Sequence, residues 1–361
     1  FYVFWELTLI PMFFMILKWG GKDRKYAAQK FFIYTFTASV IMLLGLLTMY
    51  FLMDTQTFSM QEMVVQASGA NASGVWLGLE VQKILFIMLM LGFLVKLPAA
   101  PFHTWLPDAH VQAPTGASVM LASVLLKIGA YGFLRFSIPL FPDASLYFQP
   151  YMIGLSLLAI IYASCIALAQ TDIKKLIAYT SIAHMGYVTL GFFSFQKIAI
   201  LGGYIQMLSH GCISAALFMS VGILYDRFHT RVIKDFGGLA SVLPRFGLFF
   251  FIFILGAIGL PGTSGFVGEI LVLIGSYKIS GWITLAAGLG IILSAIYGLW
   301  LYARIMFGVL PKTFKDVAAL SFAEKVPMIL LAGAILLLGV YPQWILNLID
   351  QSMANILRGV L

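Results

Sequence analysis

The stretch Phe93-Leu94-Val95-Lys96-Leu97-Pro98-Ala99-Ala100-Pro101-Phe102-His103-Thr104-Trp105-Leu106-Pro107-Asp108-Ala109-His110 decides the fold: a lysine closes an apolar run of membrane length, and prolines interrupt the chain immediately after it. An ammonium at bilayer depth costs roughly 2.5–3.5 kcal/mol on insertion scales, so a lysine held there marks a functional site by default. Interrupted backbone at the same depth carries polar groups that lipid cannot satisfy. Such backbone is confined to the interior of a bundle or to the wall of a hydrated cavity. The stretch therefore predicts a polar path inside a bundle of membrane-spanning helices.

The rest of the chain agrees. Its 361 residues are 61% hydrophobic and 10% charged, with a mean hydropathy of +0.98, outside the range of soluble domains. At about 20 residues per crossing, the pattern predicts an all-α polytopic bundle with apolar segments at 1–17, 31–53, 78–97 with a broken continuation to 107, 114–137, 150–170, 174–195, 198–225, 245–277 with a break, 281–308 and 326–348. The start, Phe1-Tyr2-Val3-Phe4-Trp5, has neither an initiator Met nor the basic region of a signal peptide, so the native chain is expected to begin earlier.

A net charge of +8 could suggest a nucleic-acid partner, but the cations are spread over short loops and form no continuous basic face. One set of alternate loops holds Lys18 to Lys30, Lys174, Lys175, Arg227 to Arg245, Arg304, Lys312, Lys315 and Lys325. The other holds Lys83, Lys197, Lys278 and Arg358. The positive-inside rule makes the first set cytoplasmic and puts the C-terminus outside, periplasmic in a bacterial inner membrane. Cys165 and Cys212 lie in apolar segments and are expected to be free, buried thiols. No haem, zinc or iron–sulfur spacing and no nucleotide-binding glycine loop occurs.

Once the loop charges are assigned, Glu6, Lys96, Lys127 and Glu269 remain in four different apolar segments, with Arg135 nearer the end of one. Burial disfavours the charged form of any such group unless an opposite charge stands close. A pair at 4 Å with an effective dielectric of 20 gains roughly 4 kcal/mol. Moving one proton against 100 mV requires about 2.3 kcal/mol. Opening and closing a Glu–Lys pair is thus sufficient to load and release a proton, although a buried pair is poor evidence for stability. Any one of the four could merely snorkel or brace a helix; four together argue for a path.

Neutral polar groups extend it. Gln206, His210 and Ser214 share one helical face, as do Thr180, His184 and Tyr187. Histidine titrates near neutral pH and suits a relay, and equally an interhelical hydrogen bond. His103 and His110 flank Asp108, but the proline-rich connection argues for a turn and against a metal site. His229 lies in a basic loop and receives no role. A second break, Gly259-Leu260-Pro261-Gly262-Thr263-Ser264-Gly265-Phe266-Val267-Gly268-Glu269, again joins an interruption to an ionisable group. Two such segments point to inverted repeats, and lying five spans apart they run in opposite directions. The units expected are 1–137 and 150–308, with breaks near 97–107 and 259–268, followed by a C-terminal helix and tail at 326–361.

Phe4-Trp5-Glu6, Val95-Lys96-Leu97-Pro98, His103 through His110, Leu125-Leu126-Lys127, Asp172-Ile173-Lys174-Lys175, Ala183-His184-Met185-Gly186 and Pro261 through Glu269 together resemble the antiporter-like subunits of respiratory complex I, nearly end to end. The resemblance implies two inverted five-helix units, of which this sequence lacks the first helices. It implies that Glu6 and Lys96 form a switching pair, that Lys127 is a central connecting lysine, that His184 and His210 belong to a hydrated midplane axis, and that Glu269 is the terminal exit group. The related sodium–proton antiporter subunits and the other antiporter-like chains typically carry lysine where this chain has Glu269. The implied function is proton translocation as a membrane subunit of NADH–quinone oxidoreductase. The alternatives are a Mrp-type sodium–proton antiporter subunit, a ferredoxin- or hydrogen-linked relative, or a purely structural subunit. NADH, FMN, iron–sulfur clusters and quinone are expected in partner subunits and no cofactor in this chain. Its partners would be further membrane subunits, antiporter-like chains among them, and lipid.

Overall fold

The structure is a computed structural model that describes residues 1–52, 56–69, 78–311, 314 and 317–358. Lys312 and Lys315 lie outside the described residues, as does much of the connection after the second span.

The chain opens with α1 (Tyr2–Leu7) and α2 (Leu9–Trp19) where one helix over 1–17 was expected. They divide at Thr8, whose hydroxyl donates to the Trp5 carbonyl at 2.8 Å. α3 (Arg24–Leu52) recrosses, starting seven residues before the expected 31, because its first turn is basic and polar at the membrane surface. α4 (Met60–Gly69) is a short helix in the connection. α5 (Leu79–Lys96) ends at the lysine, and α6 (Trp105–Gln112) completes that crossing beyond the proline break. Next come α7 (Thr115–Met120), α8 (Leu126–Gly132) and α9 (Ile138–Leu140), one continuous rod interrupted by wide π turns at Leu121–Leu125 and Phe133–Ser137.

α10 (Pro142–Leu168) begins eight residues earlier than expected: Pro142 sits in the first turn, where its missing N–H removes no bond, and Pro150 is absorbed. α11 (Ile173–Phe193) is capped by Asp172, whose carboxylate accepts from the Lys174 and Lys175 amides at 2.8 and 3.0 Å. α12 (Lys197–Phe228) follows, and α13 (Pro244–Ala257) and α14 (Ser264–Tyr277) form the second broken crossing. Gly259 and Gly262 take φ of +70° and +93° in that break, a region glycine enters without strain. α15 (Gly281–Met306) and α16 (Phe322–Val340) are the last two spans. The segment expected to run to 348 stops at Tyr341-Pro342, and the amphipathic α17 (Gln343–Arg358) starts there.

Among the described residues eight helical rods are long and apolar enough to cross a membrane. The two broken pairs, α5–α6 and α13–α14, add two more, making ten crossings. The ends sort as the loop charges require. On one face Gly21 meets Gln112, Ile173 meets Arg231, Gly238 meets Phe307, and Arg227 pairs with Glu324 at 2.6 Å. On the other Gln82 meets Asp143, Gln149 meets the end of α11, and Lys197 pairs with Asp350 at 2.7 Å. The first broken crossing therefore runs toward the basic face and the second away from it. α11 is buried along nearly its whole length, so it and α12 form the centre around which the other helices pack. Cys165 is exposed on the outer surface of α10 and Cys212 is half-buried, which corrects the expectation of two buried thiols; both are free.

Candidate functional site: a buried line of titratable groups

Lys127 stands two residues beyond the first wide turn, the second residue of α8. There the Leu126 amide bonds the Leu121 carbonyl, five residues back, the spacing of a π turn and a frequent mark of functional sites. The Lys127 ammonium donates to the Ala122 carbonyl and lies 2.6 Å from His210 Nδ1 on α12. At that distance one of the two nitrogens holds the hydrogen and the other receives it, so the pair shares a proton position. A groove of about 570 Å³, lined by Ser123, Tyr131, Met207 and Cys212 among others, reaches Lys127 from the outside of the bundle.

From His210 the line turns inward. The His210 and His184 rings have centroids 5.6 Å apart at 50°. His184 Nδ1 on α11 is 3.2 Å from Glu269 Oε1 on α14, and Gln206 Nε2 reaches both, at 3.2 Å and 3.3 Å. Glu269 is 2% exposed and His184 5%, a depth at which the carboxylate needs the donors it has. Gly259 makes this possible, since a Cβ there would sit 2.5 Å from Glu269 Oε2. His184 Nε2, Gln206 Oε1, Glu269 Oε2 and the Tyr297 hydroxyl are buried with no protein partner. Polar atoms of this kind are ordinarily met by internal water.

Lys96 is buried at a second site. Its ammonium donates to Thr8 Oγ1 at 3.2 Å and faces the Trp5 ring at 5.0 Å, a cation–π contact. Glu6 lies within electrostatic reach, but among the described residues no ion pair within 4.0 Å joins it to Lys96. Glu6 Oε1 is buried and unpartnered. The division of the first helix at Thr8 thus inserts a hydroxyl as the direct partner of Lys96. α8 packs onto the end of α5 through Gly129 and Gly132, where a Cβ would strike Leu97 and Phe93. Among the described residues no polar contact joins Lys96 to Lys127, so their link is this close backbone packing together with the electrostatic field.

The structure also brings in residues that sequence reasoning passed over. His110 is fully buried, stacked on Phe218 with centroids 4.4 Å apart, with neither ring nitrogen partnered. It stands within electrostatic reach of Lys127 and of Lys174. Lys174 is buried against the Ala113 carbonyl and borders a cavity of about 430 Å³ on the basic face, with Asp226 and Arg231. The signal for His110 was present in the broken helix, but it was weighed only as a metal ligand, rejected as one, and given no other role. Asp108 instead turns to Lys30, 2.6 Å away. Gln206 was noticed for its helical face; its convergence on His184 and Glu269 needed the third dimension.

The family described as NADH:quinone oxidoreductase/Mrp antiporter, transmembrane, matches residues 1–296. NADH-quinone oxidoreductase subunit M of Rhodobacter capsulatus is 49% identical over 362 residues, covering 99% of this chain and 71% of its own length. A chain of respiratory complex I from Thermus thermophilus with bound NADH superposes with a TM-score of 0.92 at 32% identity, over 100% of this chain and 75% of that one. A chain of the Mrp complex from Dietzia sp. DQ12-45-1b superposes at 0.87 with 20% identity over the same shares, a likeness of fold alone.

Proposed function

This chain belongs to the NADH:quinone oxidoreductase/Mrp antiporter transmembrane family, and from that premise we propose that it is a proton-translocating membrane subunit of an NADH–quinone oxidoreductase. It works beside other membrane subunits, while NADH, FMN, iron–sulfur clusters and quinone belong to partners. The 49% identity to a subunit of that enzyme, and Glu269 in the second broken helix, favour this reading over a Mrp-type antiporter.

In this reading a proton is taken up on the basic, cytoplasmic face through the cavity beside Lys174 and by way of His110. It resides on the Lys127–His210 pair, crosses to His184 through internal water, and passes to Glu269, from which it leaves on the periplasmic side, where the C-terminus also lies. Glu6 and Lys96 set the timing. A charge change in a neighbouring subunit alters their mutual attraction, and the α5–α8 contact and its field carry that change to Lys127. Brought from their separated positions in this structure to 4 Å, the two would attract by roughly 4 kcal/mol, more than the roughly 2.3 kcal/mol per 100 mV that each proton must gain. Residues 1–137 and 150–308 act as two oppositely directed units, each with one broken helix, closed by 326–361.

The observation that carries this reading is the run of contacts from Lys127 through His210 and His184 to Glu269. Its test is Lys127→Met in the assembled complex, checked by native gel. NADH-driven acidification of inverted membrane vesicles is expected to fall about tenfold or more, the scale of losing a charge-assisted hydrogen bond. Wild-type pumping by the assembled variant would contradict the assignment.

A further inference from the structure

The amide of Gln206 sits where the proton line narrows to a single step. It is 1% exposed on α12, one turn before His210. Its Nε2 lies 3.2 Å from His184 Nδ1 and 3.3 Å from Glu269 Oε1, which are themselves 3.2 Å apart. The three groups form a closed triangle between α11, α12 and α14. Gly268, next to Glu269, is what admits the amide: a Cβ there would overlap Gln206 Oε1.

We propose that Gln206 is a positioning residue that gates the last proton step, its amide having to turn before a proton passes from His184 to Glu269. The proposal rests on the proton line described above.

The number of hydrogens at Nδ1 decides which way the amide points. An amide N–H directed at Nδ1 requires Nδ1 to be bare, with the imidazole proton on Nε2. Donation from Nδ1 to Glu269 requires Nδ1 to carry hydrogen. One nitrogen cannot do both. The orientation in the structure, NH2 toward both partners, therefore fits the emptied state: a neutral His184 protonated at Nε2, and a Glu269 carboxylate accepting the second amide hydrogen. Because Nε2 already holds hydrogen, the next proton carried by internal water binds at Nδ1, and the ring becomes an imidazolium with Nδ1–H. The amide then turns about its terminal torsion, which is broad and nearly two-fold, and presents Oε1. In the transfer the Nδ1–H bond breaks, an O–H bond forms on Glu269 Oε1, the imidazolium becomes neutral and the carboxylate becomes an acid. Release of that proton outward lets the NH2 group return, which opposes back-transfer. Gln206 Oε1 has no protein partner, so turning the amide breaks no bond on that side. The other titratable groups facing this triangle are His210 on α12, Tyr187 on α11 and Tyr297 on α15, with Lys127 on α8 behind His210.

The test compares Gln206→Met, Gln206→Glu, Glu269→Gln and the double variant Gln206→Met with Glu269→Gln in assembled complexes, using NADH-driven acidification of inverted vesicles across a pH series. Gln206→Met is expected to slow pumping about tenfold and to move the pH of half-maximal pumping by about one unit. The double variant is expected to lose no more than Glu269→Gln alone, as coupled sites do. Gln206→Glu keeps the size but cannot donate when ionised, and is expected to lose pumping likewise; it decides the matter if the methionine variant fails to assemble. Wild-type pumping with an unchanged pH profile, or fully additive losses, would overturn the role of Gln206. Normal pumping by Glu269→Gln would instead overturn the proton line itself.

Discussion

Lys127 and Glu269 stand at opposite ends of a line whose middle members are two imidazoles and an amide, and that difference explains what the sequence made legible. A charge in an apolar run stands out by its desolvation penalty, so Lys96, Lys127 and Glu269 could be read without coordinates. Gln206 and His110 could not. A buried amide or imidazole in a helix is commonly an ordinary interhelical contact, and only the distances to His184 and Glu269, or the absence of a partner, set these two apart. Glu6 was read as the direct partner of Lys96, and the intervention of Thr8 depends on a helix division that periodicity does not announce. Gly259 is the residue that makes the depth of Glu269 tolerable. Gly259→Ala would force a Cβ against Glu269 Oε2 at a φ of +70°, a strain on the order of 1–3 kcal/mol. It is expected to reduce both pumping and the thermal stability of the complex; unchanged values in vesicle and melting assays would speak against that role.

At the scale of elements, composition located the two broken helices because proline and glycine interrupt apolar runs visibly, at Pro98 and Pro101 and at Pro261 and Gly262. The wide turn Leu121–Leu125 was invisible. Its residues are ordinary helix formers, and the extra residue per turn is selected by the tertiary fit of α8 to α5 and α12. Deleting Val124 would close that turn toward regular α geometry and return the Ala122 carbonyl to the helix ladder. Such a variant is expected to assemble, by native gel, yet pump several-fold more slowly, on the order of losing one charge-assisted bond. Wild-type rates would mean that the wide turn serves packing alone. Helix ends were misjudged where surface polarity misleads: α3 and α10 extend beyond their apolar cores because the first turn of a helix tolerates lysine, arginine and proline.

For the whole molecule, the alternation of basic and neutral loops anticipated the clustering of Arg227, Arg231 and Lys174 at one end and of Lys197 with Asp350 at the other. That arrangement is what orients the proposed proton line, from the cavity at Lys174 toward Glu269. The claim on which all of this depends is that the line is continuous and wet where protein partners are lacking. A high-resolution map of the assembled complex tests it most directly. The account predicts ordered water within hydrogen-bonding distance of His184 Nε2 and Glu269 Oε2, linking His184 to His210, whose ring centroids lie 5.6 Å apart; packed carbon against both atoms, leaving them dry, would contradict it.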